Sequence, residues 1–306
     1  MVWRNPTAEQ RDWGLDTYAN AVLEASDVVR EITGSPDLNA AGACAAGMTL
    51  AMLLAHLAAT NDRRINAATL LVTMLDTSIE TQLMLLADEH LLKMALLASQ
   101  QAGILTGQQL GQVFSFLRPN ELVSNYWTNN YLLGEDPPAF DVLAWNSDAT
   151  NLTAALHRDL IGLISSNALA RKGAAQLLGT PVDLGQITCD TFVVAAQTDH
   201  ITAWQGCYAA TQLLGGNTQM VLCASGHIQS IVSPPGNPRA RYFLNPRTPA
   251  DPQAWLAGAT EQRGSWWETY SKWLGERAGA QRLAPKTLGS RAHSVLGTAP
   301  GTYVLE

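Results

Sequence analysis

Apolar residues recur at steps of three and four near the start of the chain, at Tyr18, Val22, Ala25, Val29 and Ile32. This period predicts an amphipathic helix, and Gly34 is a typical stop signal for it. Thr7 and Gln10 have the spacing of a capping box ahead of the helix. A second helix is predicted from Met48 to Thr60, where the chain is almost continuously apolar.

Four short apolar runs predict strands of a parallel sheet that is buried on both faces. They cover residues 38–43, 67–75, 191–196 and 220–223. Because the predicted strands alternate with helical segments, the pattern indicates an α/β fold.

The segment 77–180 is too long for an ordinary connection between two strands. Its pattern is mostly helical and rich in leucine and aromatic residues, with Phe140 and Trp145 among the latter. We interpret it as a cap or lid subdomain inserted over the active site, so that the catalytic core consists of residues 1–76 and 181–306. The alternative is that these aromatics merely form the core of the cap.

Composition excludes several functional classes. With 47% apolar residues, the 306-residue chain can bury a substantial core. The formal charge of −7 argues against binding to nucleic acid, which requires clustered Lys and Arg. No apolar run reaches the roughly 20 residues of a transmembrane helix. The N-terminus lacks the apolar core of a signal peptide, so we expect a cytoplasmic protein.

The candidate chemistry centres on one of the four cysteines. Cys189, Cys207 and Cys223 show no CxxC spacing and are interpreted as inert buried residues. Cys44 differs because it lies between a predicted strand and a predicted helix, in the sequence Gly42-Ala43-Cys44-Ala45-Ala46-Gly47. This resembles a nucleophile elbow with Cys in place of Ser, in which small residues permit a strained turn and the helix N-terminus favours a thiolate.

A thiolate nucleophile also needs a base and an orienting acid, which this architecture supplies after later strands in the order nucleophile, acid, histidine. Asp199 follows the predicted strand 191–196, and His227 follows the strand 220–223. Two alternatives stay open at this point. His200 is a second candidate base, although adjacent residues point apart, and Asp76 is a second candidate acid because it also follows a predicted strand.

Several long, collinear segments then identify a resemblance: the chain resembles polyhydroxyalkanoate synthases, most closely the class II-like enzymes that polymerise medium-chain monomers. The segments are WRNPT at 3–7, GACAAG at 42–47, NYWTNNYLLG at 125–134, PPAFDVLAWN at 137–146, TDHITAW at 198–204, SGHIQSIVSPPGNP at 225–238, GSWW at 264–267 and PGTYV at 300–304. Ala45 and Ala46 depart from the family, where a Gly commonly precedes the final Gly.

The resemblance implies an α/β-hydrolase-type acyltransferase that polymerises (R)-3-hydroxyacyl-CoA into polyhydroxyalkanoate with release of CoA. In this family Cys44 corresponds to the acyl-accepting nucleophile, Asp199 and His227 to its partners, and Ala45 to a backbone donor of the oxyanion hole. The resemblance implies no metal or other cofactor, since the CoA thioester is the substrate. It also implies a homodimer at the surface of the polymer granule.

Only 43 residues precede Cys44, whereas the elbow of this fold normally follows the fifth strand. We therefore expect the N-terminal strands, and with them half of the oxyanion hole, to be missing. A chain of this kind is expected to aggregate or to bind an N-terminal partner. Two alternative functions follow: a thioesterase or polyester hydrolase with the same residues, and an inactive fragment that binds granules.

Overall fold

A computed structural model describes residues 3–79, 81, 88–117, 123–136, 148–299 and 301–302. The contacts of these residues define two compact units, one with its described residues within 3–14 and 88–161, and the other with its described residues within 15–81 and 162–302. The predicted cap boundaries at 77 and 180 stay a prediction, although residues 162–180 belong to the second unit. Phe140 and Trp145 lie outside the described residues.

The second unit is built on a six-stranded sheet. The strands are β1 (Leu38–Ala43), β2 (Ile65–Leu71), β3 (Asp190–Ala196), β4 (Thr218–Cys223), β5 (Arg241–Leu244) and β6 (Thr260–Arg263). They lie side by side in that order. The first four run parallel, whereas β5 and β6 are antiparallel to their neighbours. The predicted alternation of parallel strands and helices is thus confirmed.

The helices of the described chain, numbered in order, are α1 (Leu15–Thr33), α2 (Ala45–Ala59), α3 (Glu89–Ala102), α4 (Gly107–Leu117), α5 (Ala154–Ser165), α6 (Trp204–Tyr208), α7 (Ala210–Leu213), α8 (His227–Ile231), α9 (Pro252–Ala257) and α10 (Trp267–Gly275). Short 3-10 helices cover Ala8–Gln10 and Leu184–Gln186, and a π-helix covers Trp127–Leu132. Among the described residues, no helix combines the length and the apolarity needed to cross a bilayer.

Two predictions about these elements need correction. The second predicted strand was extended too far, because β2 ends at Leu71 and Val72 has a φ of 43° that no strand accommodates. The capping box of Thr7 and Gln10 is present, but it caps the 3-10 helix and not α1, which begins at Leu15. The predicted end of α1 is confirmed, since Gly34 follows it with a φ of 64°.

The first unit contains α3 and α4, which follow one another closely. Asp88 caps α3 by accepting hydrogen bonds from the backbone N–H groups of His90 and Leu91. Between the two helices, Ile104 and Leu105 pair with Leu152 and Thr153 in a two-stranded antiparallel ladder.

The core of the second unit places apolar residues on both sides of the sheet. On one side, α2 is buried along most of its length, from Gly47 to Leu57. The ring of Phe192 in β3 also lies within 6.3 Å of three aromatic rings, those of Trp266, Tyr270 and Trp273. Such pairs add to the free energy gained by burial. Successive residues of β2, β3 and β4 are buried, so both faces of these strands are covered. This packing fixes the positions of the strand ends.

Candidate active site

Cys44 occupies the tight turn between β1 and α2. It has φ 51° and ψ −122°, a strained conformation for a residue with a side chain. Its backbone N–H donates to the carbonyl of Leu71 at 2.9 Å, and its own carbonyl accepts from Gly47 at 3.0 Å. The turn therefore belongs to both the sheet and the helix, and it presents Cys44 at the carboxyl end of β1.

The two glycines of this turn are required by close packing. A Cβ at Gly42 would stand 2.8 Å from the backbone of both Ala46 and Gly47, and one at Gly47 would stand 1.9 Å from Thr73 Oγ1. By contrast, Ala46 is accommodated at the position where the elbow pattern has its second glycine. Ala45 is the first residue of α2, so its N–H has no partner within the helix and is available as a donor.

Asp199 and His227 meet at the same edge of the sheet. Asp199 follows β3, and His227 is the first residue of α8, just after β4. His227 Nδ1 lies 2.6 Å from Asp199 Oδ2, and the Asp199 side chain is fully shielded from solvent. Because a carboxylate can only accept, Nδ1 carries the proton, and Nε2 is left to exchange a proton with another group.

The electrostatics of the site favour a charged pair. Burial lowers the pKa of His227, but the hydrogen bond and charge of Asp199, together with its interaction with Cys44, raise it to about 9. Burial raises the pKa of Asp199, whereas hydrogen bonds from His227 and Thr202 lower it below its ordinary value overall. A histidine beside a cysteine can take its proton and so activate the sulfur as a nucleophile. The structure thus brings Cys44, Asp199 and His227 together.

The alternative acid, Asp76, is engaged elsewhere. Its Oδ1 accepts hydrogen bonds from the hydroxyl of Ser78 at 2.7 Å and the amide of Asn167 at 2.9 Å. Burial raises the pKa of Asp76, but these bonds lower it below its ordinary value. Asp199 is bonded to His227, 28 positions along the chain, which favours His227 as the base. The hydrogen bonds of Asp76 and Asp199 favour Asp199 as the acid and His227 as the base. Their catalytic roles stay a prediction.

Two of the other three cysteines are less exposed than Cys44, whereas Cys189 is partly exposed like Cys44 and not buried as predicted. Cys207 and Cys223 are buried, and Cys189 is partly buried. Burial raises the pKa of Cys207 well above that of a free thiol, and it raises that of Cys223 to about 12. Such thiols stay protonated and are poor nucleophiles. Among the residues that the structure describes, no group of three or more His, Cys, Asp or Glu side chains is placed to hold a metal.

Sequence reasoning missed Thr202, which bonds to Asp199. Its hydroxyl donates to Asp199 Oδ2 at 2.7 Å, and its backbone N–H donates to Oδ1 at 2.9 Å. A signal was available, since Asp and Thr side chains commonly bond to backbone groups two or three residues away in turns. The spacing alone does not say that this turn faces a histidine.

Comparison with known proteins agrees with this architecture. A family model described as the alpha/beta hydrolase fold matches residues 3–234. The chain therefore belongs to the α/β-hydrolase fold family, and the predicted fold class is confirmed.

Within that family, the chain is similar to poly(3-hydroxyalkanoate) polymerases. It is 51% identical to poly(3-hydroxyalkanoate) polymerase 1 of Ectopseudomonas oleovorans, over 100% of this chain and 55% of the relative. It is 40% identical to poly(3-hydroxyalkanoate) polymerase subunit PhaC of Cupriavidus necator, over 99% of this chain and 53% of the relative. The resemblance found in the sequence motifs is confirmed. The chain spans about half the length of these relatives.

Solved structures are more distant. One, a hydrolase from Pseudomonas aeruginosa, is 19% identical with a TM-score of 0.39, covering 76% of this chain and 69% of that one. A similarity at this level adds nothing to the assignment, which rests on the family model and on the strand order.

Proposed function

We propose that this chain carries the catalytic centre of an acyltransferase that polymerises (R)-3-hydroxyacyl-CoA thioesters into polyhydroxyalkanoate, with Cys44 as the nucleophile. One observation carries the proposal: Cys44, at a strained strand-to-helix turn, is near enough to His227 to raise the pKa of its imidazole, and His227 Nδ1 is bonded to a buried carboxylate. The similarity to poly(3-hydroxyalkanoate) polymerases supplies the substrate class.

The first step transfers the acyl group to the protein. His227 takes the proton of Cys44, and the thiolate attacks the thioester carbonyl carbon. The negative charge that develops on the carbonyl oxygen is stabilised by the N–H of Ala45. The carbon–sulfur bond of the substrate then breaks, and CoA leaves as a thiol with the proton from His227. A covalent acyl-Cys44 thioester results, and the exchange is nearly balanced because one thioester replaces another.

The second step extends the polymer. The 3-hydroxyl of another hydroxyacyl group attacks the acyl-Cys44 carbonyl, an ester bond forms, and the thiol of Cys44 is restored. Either His227 or Asp199 removes the hydroxyl proton. The nearby Cys44 supports His227 in this role, and the shielding of Asp199 from solvent makes it less accessible to the hydroxyl.

The proposal extends to the setting of the reaction. As in the resemblance, the CoA thioester is a substrate and the chemistry requires no metal or redox cofactor. We propose medium-chain monomers, a homodimer, and a cytoplasmic location at the granule surface.

The test is to trap the acyl group. The protein is incubated briefly with a radiolabelled 3-hydroxydecanoyl-CoA, denatured in acid and digested, and the label is located by peptide mass. We expect one acyl group on the peptide that contains Cys44, and none in the Cys44→Ala variant. Cys189→Ala is the matched control, because that residue is also partly exposed but precedes β3, whereas Asp199 follows the other end of this strand.

CoA release and polymer yield, measured together, separate this function from its alternatives. Polymer and CoA in parallel support the polymerase. CoA release without polymer favours a thioesterase or polyester hydrolase. Granule binding that persists in Cys44→Ala, with no acylation of the unmodified protein, favours an inactive granule-binding fragment. Label on a residue other than Cys44 contradicts the proposal.

A further inference from the structure

Asp199 accepts four hydrogen bonds from the described residues around it. The backbone N–H groups of Ile201 and Thr202 donate to Oδ1 at 2.8 and 2.9 Å. Oδ2 accepts from the Thr202 hydroxyl at 2.7 Å and from His227 Nδ1 at 2.6 Å. The two oxygens therefore have different partners. Oδ1 is held by the backbone of the loop, and Oδ2 is held by side chains alone.

The Thr202 hydroxyl contacts both members of the acid–histidine pair. Besides its bond to Asp199, Thr202 Oγ1 lies 3.3 Å from His227 Nδ1. A hydroxyl has one proton, and here Asp199 receives it, so towards Nδ1 the oxygen can only accept. The Nδ1–H group thus has two acceptors, Asp199 Oδ2 and Thr202 Oγ1. Thr202 is 7% exposed, so water does not readily replace its hydroxyl.

We infer that Thr202 is a positioning residue for the reaction: its hydroxyl fixes Asp199 Oδ2 against His227 and holds the imidazole in the tautomer that offers Nε2 to Cys44. The inference rests on the proposed function in one respect, namely that His227 exchanges a proton with Cys44.

Two physical consequences distinguish this role from simple packing. First, the hydroxyl donates to Asp199 Oδ2 at 2.7 Å but accepts from His227 Nδ1 only at 3.3 Å, so its effect on the carboxylate is the stronger one. A carboxylate oxygen that loses this donor attracts the imidazolium more strongly, and the pKa of His227 should rise. Second, the Asp199 side chain gains freedom at Oδ2, and small misplacements of catalytic groups lower the rate of the chemical step more than they weaken substrate binding.

Other titratable groups near Asp199 and His227 also influence the pKa of His227. They are Cys44, on the turn after β1, and Cys207 of α6, whose thiol interacts with Asp199 and with the Thr202 hydroxyl. His200 follows Asp199 directly in the chain. None of the three is altered in the variants proposed below, so a shift at His227 is attributable to Thr202.

The experiment compares Thr202→Val, which has nearly the same shape without the hydroxyl, with Thr202→Ser, which keeps it. Histidine-selective isotope labelling and NMR titration give the pKa of His227 directly. We expect it to rise by about half a unit in Thr202→Val. We expect kcat for CoA release to fall about tenfold with KM changed less than about twofold. Thr202→Ser should keep both quantities near the original values.

Thr69→Val is the matched control. Thr69 is buried in β2, where it pairs with Phe192 near the start of β3, and its hydroxyl bonds to Tyr270 at 3.1 Å. This variant should lower the urea midpoint of unfolding but leave the pKa of His227 and kcat unchanged. An unchanged titration and kcat in Thr202→Val, or equal losses in Thr202→Ser, would overturn the inference. The titration needs no substrate, so it tests Thr202 even where acylation of Cys44 fails.

Discussion

Gly47 and Thr73 are so close that no side chain fits between them. A Cβ at position 47 would stand 1.9 Å from Thr73 Oγ1 and 2.8 Å from Cγ2. Thr73 cannot easily turn away, because its hydroxyl donates to the carbonyl of Leu71 at 3.0 Å and its side chain is fully buried. The last glycine of the turn after β1 is therefore a packing requirement.

Replacing Gly47 by Ala is expected to destabilise the protein by about 1–3 kcal/mol, the usual cost of overpacking a core. The change should also displace Cys44 and lower its acylation rate. Urea unfolding measures the first effect and the trapping assay the second. Adding Thr73→Ala should recover part of the lost stability, since it removes the two nearest atoms.

Gly162→Ala is the control for that substitution. Gly162 lies within α5, and a Cβ there meets nothing within 4 Å. Because Ala has the higher helix propensity, this variant should be more stable by up to about 1 kcal/mol. Equal effects of the two substitutions on stability would show that close packing at Gly47 is not the cause.

Asp199 and Asp76 are the two candidates for the catalytic acid, and their hydrogen bonds predict losses of kcat of very different size when each is replaced by Asn. Asp199→Asn removes the acceptor of the Nδ1 proton and favours the wrong tautomer, so kcat for CoA release should fall by about 10³- to 10⁴-fold. Asp76→Asn alters a carboxylate held by Ser78 and Asn167, and should cost less than about tenfold. Steady-state kinetics of both variants decide the matter. The reverse order would transfer the role to Asp76.

The raised pKa of His227 predicts how stability depends on pH. The pKa is about 9 in the folded protein against an ordinary value of 6.5. Below pH 6.5 both states bind the proton and the contribution to stability is complete. As pH rises towards 9, only the folded state keeps the proton, so the free energy of unfolding falls and the contribution is lost above 9.

Urea unfolding from pH 6 to 9.5 measures the slope of the free energy of unfolding against pH. The Asp199→Asn variant isolates the contribution of His227 to this slope, because the neutral amide no longer stabilises the imidazolium. Its slope between pH 6.5 and 9 should be shallower than that of the unmodified protein. Parallel curves would contradict a link between Asp199 and the proton of His227.

Arg277 joins the segment after α10 to the start of β3. Its Nε and Nη2 donate to Asp190 Oδ2 at 2.9 and 2.6 Å, and its guanidinium lies 4.2 Å from the ring centroid of Trp273. Arg277→Ala should lower the free energy of unfolding by about 1–2 kcal/mol, less than a buried pair because Asp190 is partly exposed. Arg277→Lys should recover less than about half, since an ammonium lacks the planar fork. Urea unfolding of both variants tests this, and full recovery in Arg277→Lys would argue against the fork geometry.

Local apolar patterns were sufficient to predict the four parallel strands of the sheet and to select the candidate site residues. The apolar run before Cys44 and the two runs before Asp199 and His227 are strands that end near these residues. The predicted continuation of β2 to residue 75 was wrong, because apolar character continues past Leu71 while the backbone turns at Val72. Strands β5 and β6 were not predicted, because β5 has only one buried residue and β6 has none, so neither shows the apolar run of a strand buried on both faces.

Residue type and spacing by themselves determined the fold class, the resemblance to polyhydroxyalkanoate synthases and the choice of Cys44, Asp199 and His227, because these depend on contiguous segments and on the order of motifs. Only the tertiary structure decided between Asp199 and Asp76 as the partner of His227, the collision that requires Gly47, and the contact of Thr202 with His227. Each of these depends on distances between residues 25 or more positions apart in the chain. Such distances are set by how the strand ends converge at one edge of the sheet, which no local pattern specifies.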